Sequence, residues 1–256
     1  ARWPDPVKIL GVETGEARRG RDGASSLAQL IERNAALRDA FADSPAALAR
    51  LAKLQHWQSS RLLRSHSDLR ANPRYRAAVE FFFNELYGGG DPRGRDRDLQ
   101  RVHRVMEALL PADALQALSL AIELEILSQE LDGEVARALS PGPITVETYA
   151  DAYRRVGRRA DRERQIALLN VIGSYLDRVV RKPMIRGLVK FARRPAHAAG
   201  FGAMQEFLER GLDAFEAMHG ADEFLATLRD REARVLERIF AGVDNPFEFG
   251  KRKGAA

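Results

Sequence analysis

Residues 120–132 read Leu120-Ala-Ile-Glu-Leu-Glu-Ile-Leu-Ser-Gln-Glu-Leu-Asp132. Laid out at about 100° per residue, Leu120, Leu124, Leu127 and Leu131 form one apolar stripe, and Leu115, Ile122 and Ile126 form a second. Spacings of three and four are helical, whereas a strand alternates at period two. Two stripes need neighbours on two sides, so 113–138 is expected to be the central helix of a helical domain. Glu123 and Glu130 fall together between the stripes, beside Ser119, while Glu125 and Asp132 fall on the opposite, polar side. Glu123 and Glu130 are therefore expected to face the interior or a cleft. A carboxylate there must be paired, protonated or metal-bound.

Helical spacing continues on both sides of this segment, cut by recognisable start and stop signals. Ser25 or Ser26 caps a helix carrying Leu27, Leu30, Ile31, Leu37 and Phe41. Ser44-Pro45 and Asn72-Pro73 each place a capping side chain before a proline at the first helical position. The helix after Pro45 is expected to run toward Leu69, and the one after Pro73 through Tyr75, Val79, Phe82, Phe83 and Leu86 to stop at Gly88–Gly90. A charged turn follows, then a helix over Leu99–Leu110. Pro141-Gly142-Pro143 is the strongest internal breaker. Beyond it, Thr145 caps a helix through Tyr153, residues 161–181 form another, and a basic amphipathic stretch follows Pro183 until Pro195 breaks it. Helices from about Met204 to His219 and across Phe224–Ile239 complete the pattern.

The fold class is thus all-α: one domain of about ten helices around a central apolar helix, spanning 25–242, with a subdivision at 141–143 as the alternative. Residues 1–24 are expected to be a flexible arm and 243–256 a disordered tail. No repeat of fixed period argues for a solenoid.

Composition narrows the chemistry. With 256 residues, 45% of them apolar, the chain can bury a core without staples. It has no cysteine, which excludes disulfides, thiolate metal sites and thiol nucleophiles and suits a cytoplasmic location. The formal charge is +5, from 41 basic and 36 acidic residues, and only six of the bases are lysine. Arginine on this scale points to forked ion pairs within and between helices. No apolar run is long enough to cross a membrane, and no helix-turn-helix, aromatic platform or zinc finger signals nucleic acid. There is no Gly-x-Ser-x-Gly elbow, and strands for a dinucleotide fold are missing.

Four residues are candidates for a site. His103 shares the face of Leu99, Val102, Met106 and Leu110, and Glu85 borders the Phe82/Leu86 face. With Glu123 and Glu130 they offer three carboxylates and an imidazole on consecutive helices, the palette of helical di-metal proteins, although the paired Glu-x-x-His signature is absent. A divalent metal at Glu85, His103, Glu123 and Glu130, with Glu123, Glu130 and His103 as catalytic candidates, is one reading. Ion pairing of the glutamates with arginine and a hydrogen-bonded core histidine is the other. The stretch Tyr87-Gly-Gly-Gly-Asp-Pro-Arg-Gly-Arg-Asp-Arg-Asp98 could bind an anion at the following helix start, with charge from Arg93, Arg95 and Arg97, or simply stop one helix and let Asp96 and Asp98 cap the next. Residues 182–194 combine Met184, Ile185, Leu188, Val189 and Phe191 with bases, a pattern for an anionic membrane surface or for ordinary packing on a core.

The segment Phe81-Phe-Phe-Asn-Glu-Leu-Tyr-Gly88, followed by Arg95-Asp96 and Asp98, resembles an uncharacterised bacterial family with an FFxxxLYG…RD segment, a domain of unknown function. The resemblance continues through Ala121–Leu124, Glu130–Asp132, Leu176–Arg178, Arg181–Pro183, Gly200–Gly202 and Glu206–Arg210. It implies a helical bacterial protein and supplies no activity. Gly88–Gly90 and Pro92 depart from the family's expected turn.

Three functions fit these observations. The first is a cytoplasmic helical binding or interaction protein without catalysis, with a protein partner or a second copy of itself. The second is a helical enzyme that uses a metal or cofactor held by the inward carboxylates and His103. The third is a peripheral membrane protein that makes contact through 182–194.

Overall fold

The computed structural model describes residues 26–42, 44–86 and 112–248. These form a single all-α domain of ten α-helices, with no strand among the described residues. In chain order they are α1 (Leu27–Ala42), α2 (Pro45–Ser65), α3 (Ser67–Ala71), α4 (Pro73–Glu80), α5 (Ala112–Ala138), α6 (Val146–Val156), α7 (Arg159–Val180), α8 (Pro183–Ala198), α9 (Gly202–Ala217) and α10 (Asp222–Phe240).

The caps read from the sequence form as hydrogen bonds. The side chains of Ser44 and Asn72 accept from the backbone N–H groups of Ala47 and Arg74, and Thr145 and Thr148 close a capping box. Ser26 and Gln29 bond reciprocally at the start of α1. Each cap satisfies an amide that the first turn would otherwise strand. Gly157 joins α6 to α7 at φ +72, a value that favours glycine.

Helix α5 is central, as expected. Leu120, Leu127 and Leu131 meet Leu168 and Ile172 of α7, and Ile122 and Ile126 meet Leu27 and Ile31 of α1. Its third side is covered as well: Val135 and Ala136 join Leu54 of α2, Tyr149 of α6 and Leu236 of α10. A fourth cluster packs Tyr75 and Val79 against Phe215, Met218 and Phe224.

Four departures from the sequence reading have local causes. The helix expected to continue toward Leu69 breaks at His66, which ends α2 and precedes the five-residue α3. Beyond Glu80 the chain winds as a π-helix over Phe81–Leu86. This wider turn buries three consecutive phenylalanines, 81, 82 and 83, and leaves the Phe83 carbonyl to accept from Ser59 Oγ at 3.0 Å. Pro195 does not end its helix, because it sits in the last turn of α8, four residues after the exposed Phe191. Residues 243–248, expected in the tail, lie on the body. Phe247 stacks near Trp57 and Tyr149, and the Arg238 guanidinium holds the Asn245 and Pro246 carbonyls.

Candidate functional site

Of the four sequence candidates, His103 lies outside the described residues, as does the side chain of Glu85. Glu123 pairs with Arg164. Glu130 pairs with Arg33 at 2.8 Å and lies 3.9 Å from Arg158. Of the two positions expected for them, interior or cleft, the glutamates are not in the interior: they retain 30% and 26% side-chain exposure on a partly solvated rim. The cause is the third covered side of α5. Neighbours α2 and α6 bury the arc with Gln129, Asp132 and Ala136, and the gap between the α1 and α7 contacts stays open. Each glutamate therefore meets an arginine separately. Among the described residues no three histidine or carboxylate groups converge to hold a metal.

The inward carboxylate is instead Asp132, on the arc read as polar. It is 4% exposed and accepts from Gln58 Nε2 at 3.0 Å, with Arg162 Nη1 at 3.6 Å. Arg162 is itself buried. It donates to Gln165 Oε1 at 3.1 Å and lies over the Tyr153 ring at 4.5 Å. A second buried arginine, Arg61, donates from Nη1 to both oxygens of Glu232 at 2.7 Å and stacks on Phe247 at 5.1 Å. His66 is fully buried. Its Nδ1 lies 3.0 Å from the Leu62 carbonyl, which fixes the proton on that nitrogen, and its Nε2 lies 3.8 Å from Glu232 Oε1.

Burial governs the titration of this cluster. It pushes the Asp132 carboxyl above the usual carboxylate range, with Arg162 and Gln58 pulling the other way. It pushes His66 below its ordinary value, with Glu232 opposing. Burial also works to lower Arg61 and Arg162, but the groups beside them, Glu232 at Arg61 and Tyr153 and Asp132 at Arg162, more than offset it, and both stay protonated. The Tyr153 phenol is raised by burial.

A chamber of about 70 Å³ lies within the cluster, bounded by Gln58, Arg61, Asp132, Tyr149, Arg162 and Glu232. Three buried atoms of its lining residues, Gln58 Oε1, Arg61 Nε and Arg162 Nη2, have no hydrogen-bond partner among the described residues. Buried polar atoms normally find partners, and the chamber has room for two or three water-sized groups.

Asp132 and Leu169 also border a larger cavity, of about 260 Å³. Its walls are almost wholly apolar: Ala117, Ala121 and Leu124 of α5, Ile172 and Leu176 of α7, Ile185 and Val189 of α8, Phe207, Gly211 and Leu212 of α9, with Phe81 and Phe82 behind. Gly211 is required here, since a Cβ would meet the Phe81 ring at 2.8 Å. Only one end is polar, formed by Gln55, Glu125, Ser128, Gln129 and Asp132. Glu125 is neutralised by Arg38 at 2.7 Å and accepts from Gln129 Nε2 at 2.9 Å. The arrangement can enclose an apolar body and hydrogen-bond one end of it.

The sequence reading missed Asp132, Arg162, Arg61 and Gln58. A weak signal existed for three. Gln58 and Arg61 continue the Leu51/Leu54 stripe, and Arg162 precedes Ile166 and Leu169 by four and seven residues.

No curated protein and no solved structure matches the chain. A family model described as a domain of unknown function, DUF8198, matches residues 37–246. The chain belongs to that family.

Proposed function

We propose that this DUF8198 member is a cytoplasmic small-molecule-binding protein. Its ligand is an apolar molecule that ends in a neutral hydrogen-bonding group. The observation that carries this reading is the cavity of about 260 Å³, apolar along its length and closed at one end by Asp132, whose carboxyl burial pushes upward. An apolar pocket with a few convergent polar groups and a perturbed ionisable residue is what small-molecule sites look like. The polar end carries the two acidic side chains Glu125 and Asp132. An anionic head group would have to give up its hydration in this apolar cavity beside the buried Asp132, whereas an alcohol can hydrogen-bond to Asp132, Gln129 and Ser128 without burying a charge.

Displacement of the neutral fluorophore N-phenyl-1-naphthylamine by straight-chain alcohols tests the reading. Affinity should rise about fourfold per added CH₂, at roughly 0.8 kcal/mol each, until the chain outgrows the cavity. The matching carboxylates should bind more weakly at pH 8. Absence of fluorophore uptake, or carboxylates binding better than alcohols, would contradict it.

A further inference from the structure

Helix α8 carries the two most exposed large apolar side chains among the described residues, Phe191 at 81% and Met184 at 68% exposure. On a helical projection Met184, Leu188, Phe191 and Pro195 fall on one line. Ile185 and Val189 occupy the adjoining arc and form part of the cavity wall. The apolar arc of α8 is therefore wider than the part the domain covers, and the remainder faces solvent.

Charge on this element is one-sided. Between Asp177 and Glu206 the chain has seven lysines and arginines and no acidic residue. Several of these bases are used inside the domain: Lys182 pairs with Asp113 at 2.8 Å, Arg193 with Glu209 at 3.1 Å, and Arg186 with Asp213 at 2.8 Å. Lys190 and Arg194 are exposed, flank the Met184–Phe191 strip on the side away from Ile185 and Val189, and have no ion-pair partner among the described residues.

We propose that α8 docks on an anionic membrane surface, with Met184 and Phe191 inserted at the acyl boundary and Lys190 and Arg194 at the lipid phosphates. A helix lying in the interface needs an apolar strip and adjacent bases, with no requirement to span the bilayer. The charge complementarity is with lipid phosphate, and two large apolar side chains a strip apart fall short of the broad buried patch that a stable protein interface requires. If the cavity holds the ligand proposed above, docking places one of its walls against the bilayer. The docking itself does not depend on that reading.

Co-sedimentation of the full chain with phosphatidylcholine vesicles, and with phosphatidylcholine/phosphatidylglycerol vesicles at low and high salt, tests the proposal. Binding is expected to the anionic vesicles and to weaken with salt. Lys190→Glu/Arg194→Glu should reduce it by well over tenfold, since each base near such a surface contributes about fivefold. Met184→Glu/Phe191→Glu should abolish it, with circular dichroism and Tm like those of the parent because both side chains are exposed. Ala121→Phe, which fills the cavity, should bind vesicles like the parent, so failure of the cavity reading and failure of docking are separable. Absence of binding to anionic vesicles, equal binding by parent and charge-reversed variants, or self-association abolished by Phe191→Glu would each overturn it.

Discussion

Ala121 lines the cavity midway along α5, next to Leu124 and opposite α9. Replacing it with phenylalanine puts a ring into the empty space. At protein packing density a phenyl group fills on the order of 100 Å³. At about 24 cal/mol per Å³ of cavity removed, that is worth about 2.4 kcal/mol. Phenylalanine costs about 0.5 kcal/mol against alanine in helix propensity, and the cavity opens to solvent, so part of the gain is lost to displaced hydration. The net expectation is about 1–2 kcal/mol of stabilisation, a Tm rise of about 2–8 °C for a domain of this size. The same variant should lose uptake of N-phenyl-1-naphthylamine. Differential scanning calorimetry and the fluorophore titration read the two effects. A Tm lowered by several degrees would refute the reasoning, because it would mean that the ring is forced into space already packed.

Other residues give further tests. Arg61→Met leaves the part-buried Glu232 without its guanidinium partner and should cost roughly 2–3 kcal/mol, whereas Arg61→Met with Glu232→Leu should recover much of it; urea titration of both variants checks this. The folded His66 pKa lies below the unfolded value. The unfolded chain therefore takes up the proton first, and stability should fall as pH drops below about 6.5, with His66→Gln flattening that slope. Asp132 works in the opposite sense, since a raised folded pKa means that the folded chain binds the proton first. The His66 comparison is best made in an Asp132→Asn background. Gly173→Ala would drive a Cβ into a δ-carbon of the buried Leu225, and should cost about 1–3 kcal/mol by chemical denaturation.

The fold was legible where local chemistry acts alone. Ser44-Pro45, Asn72-Pro73 and Thr145 begin helices because their side chains reach amides two or three residues away, and α5 declared itself through its two stripes. The site was not legible because it depends on what covers each arc. Asp132 sits opposite the main α7-facing stripe and looked solvent-facing, yet α2 and α6 close over it. Glu123 and Glu130 lie between two apolar stripes and looked inward, but the neighbours on either side diverge there and arginines reach in from solvent. Arg61 and Arg162 sit among so many arginines that nothing but helical phase separates the buried pair from the rest. At His66 the break in the helix follows from tertiary packing against Phe83 and Glu232, with no proline or glycine to announce it.

Xenon is a direct probe of an apolar cavity, because it enters without needing hydrogen bonds. A crystal of the chain pressurised with xenon should show an ordered xenon atom among Ala121, Leu124, Phe207 and Leu212. Side chains of the protein occupying that space, with no xenon, would contradict the small-molecule-binding account.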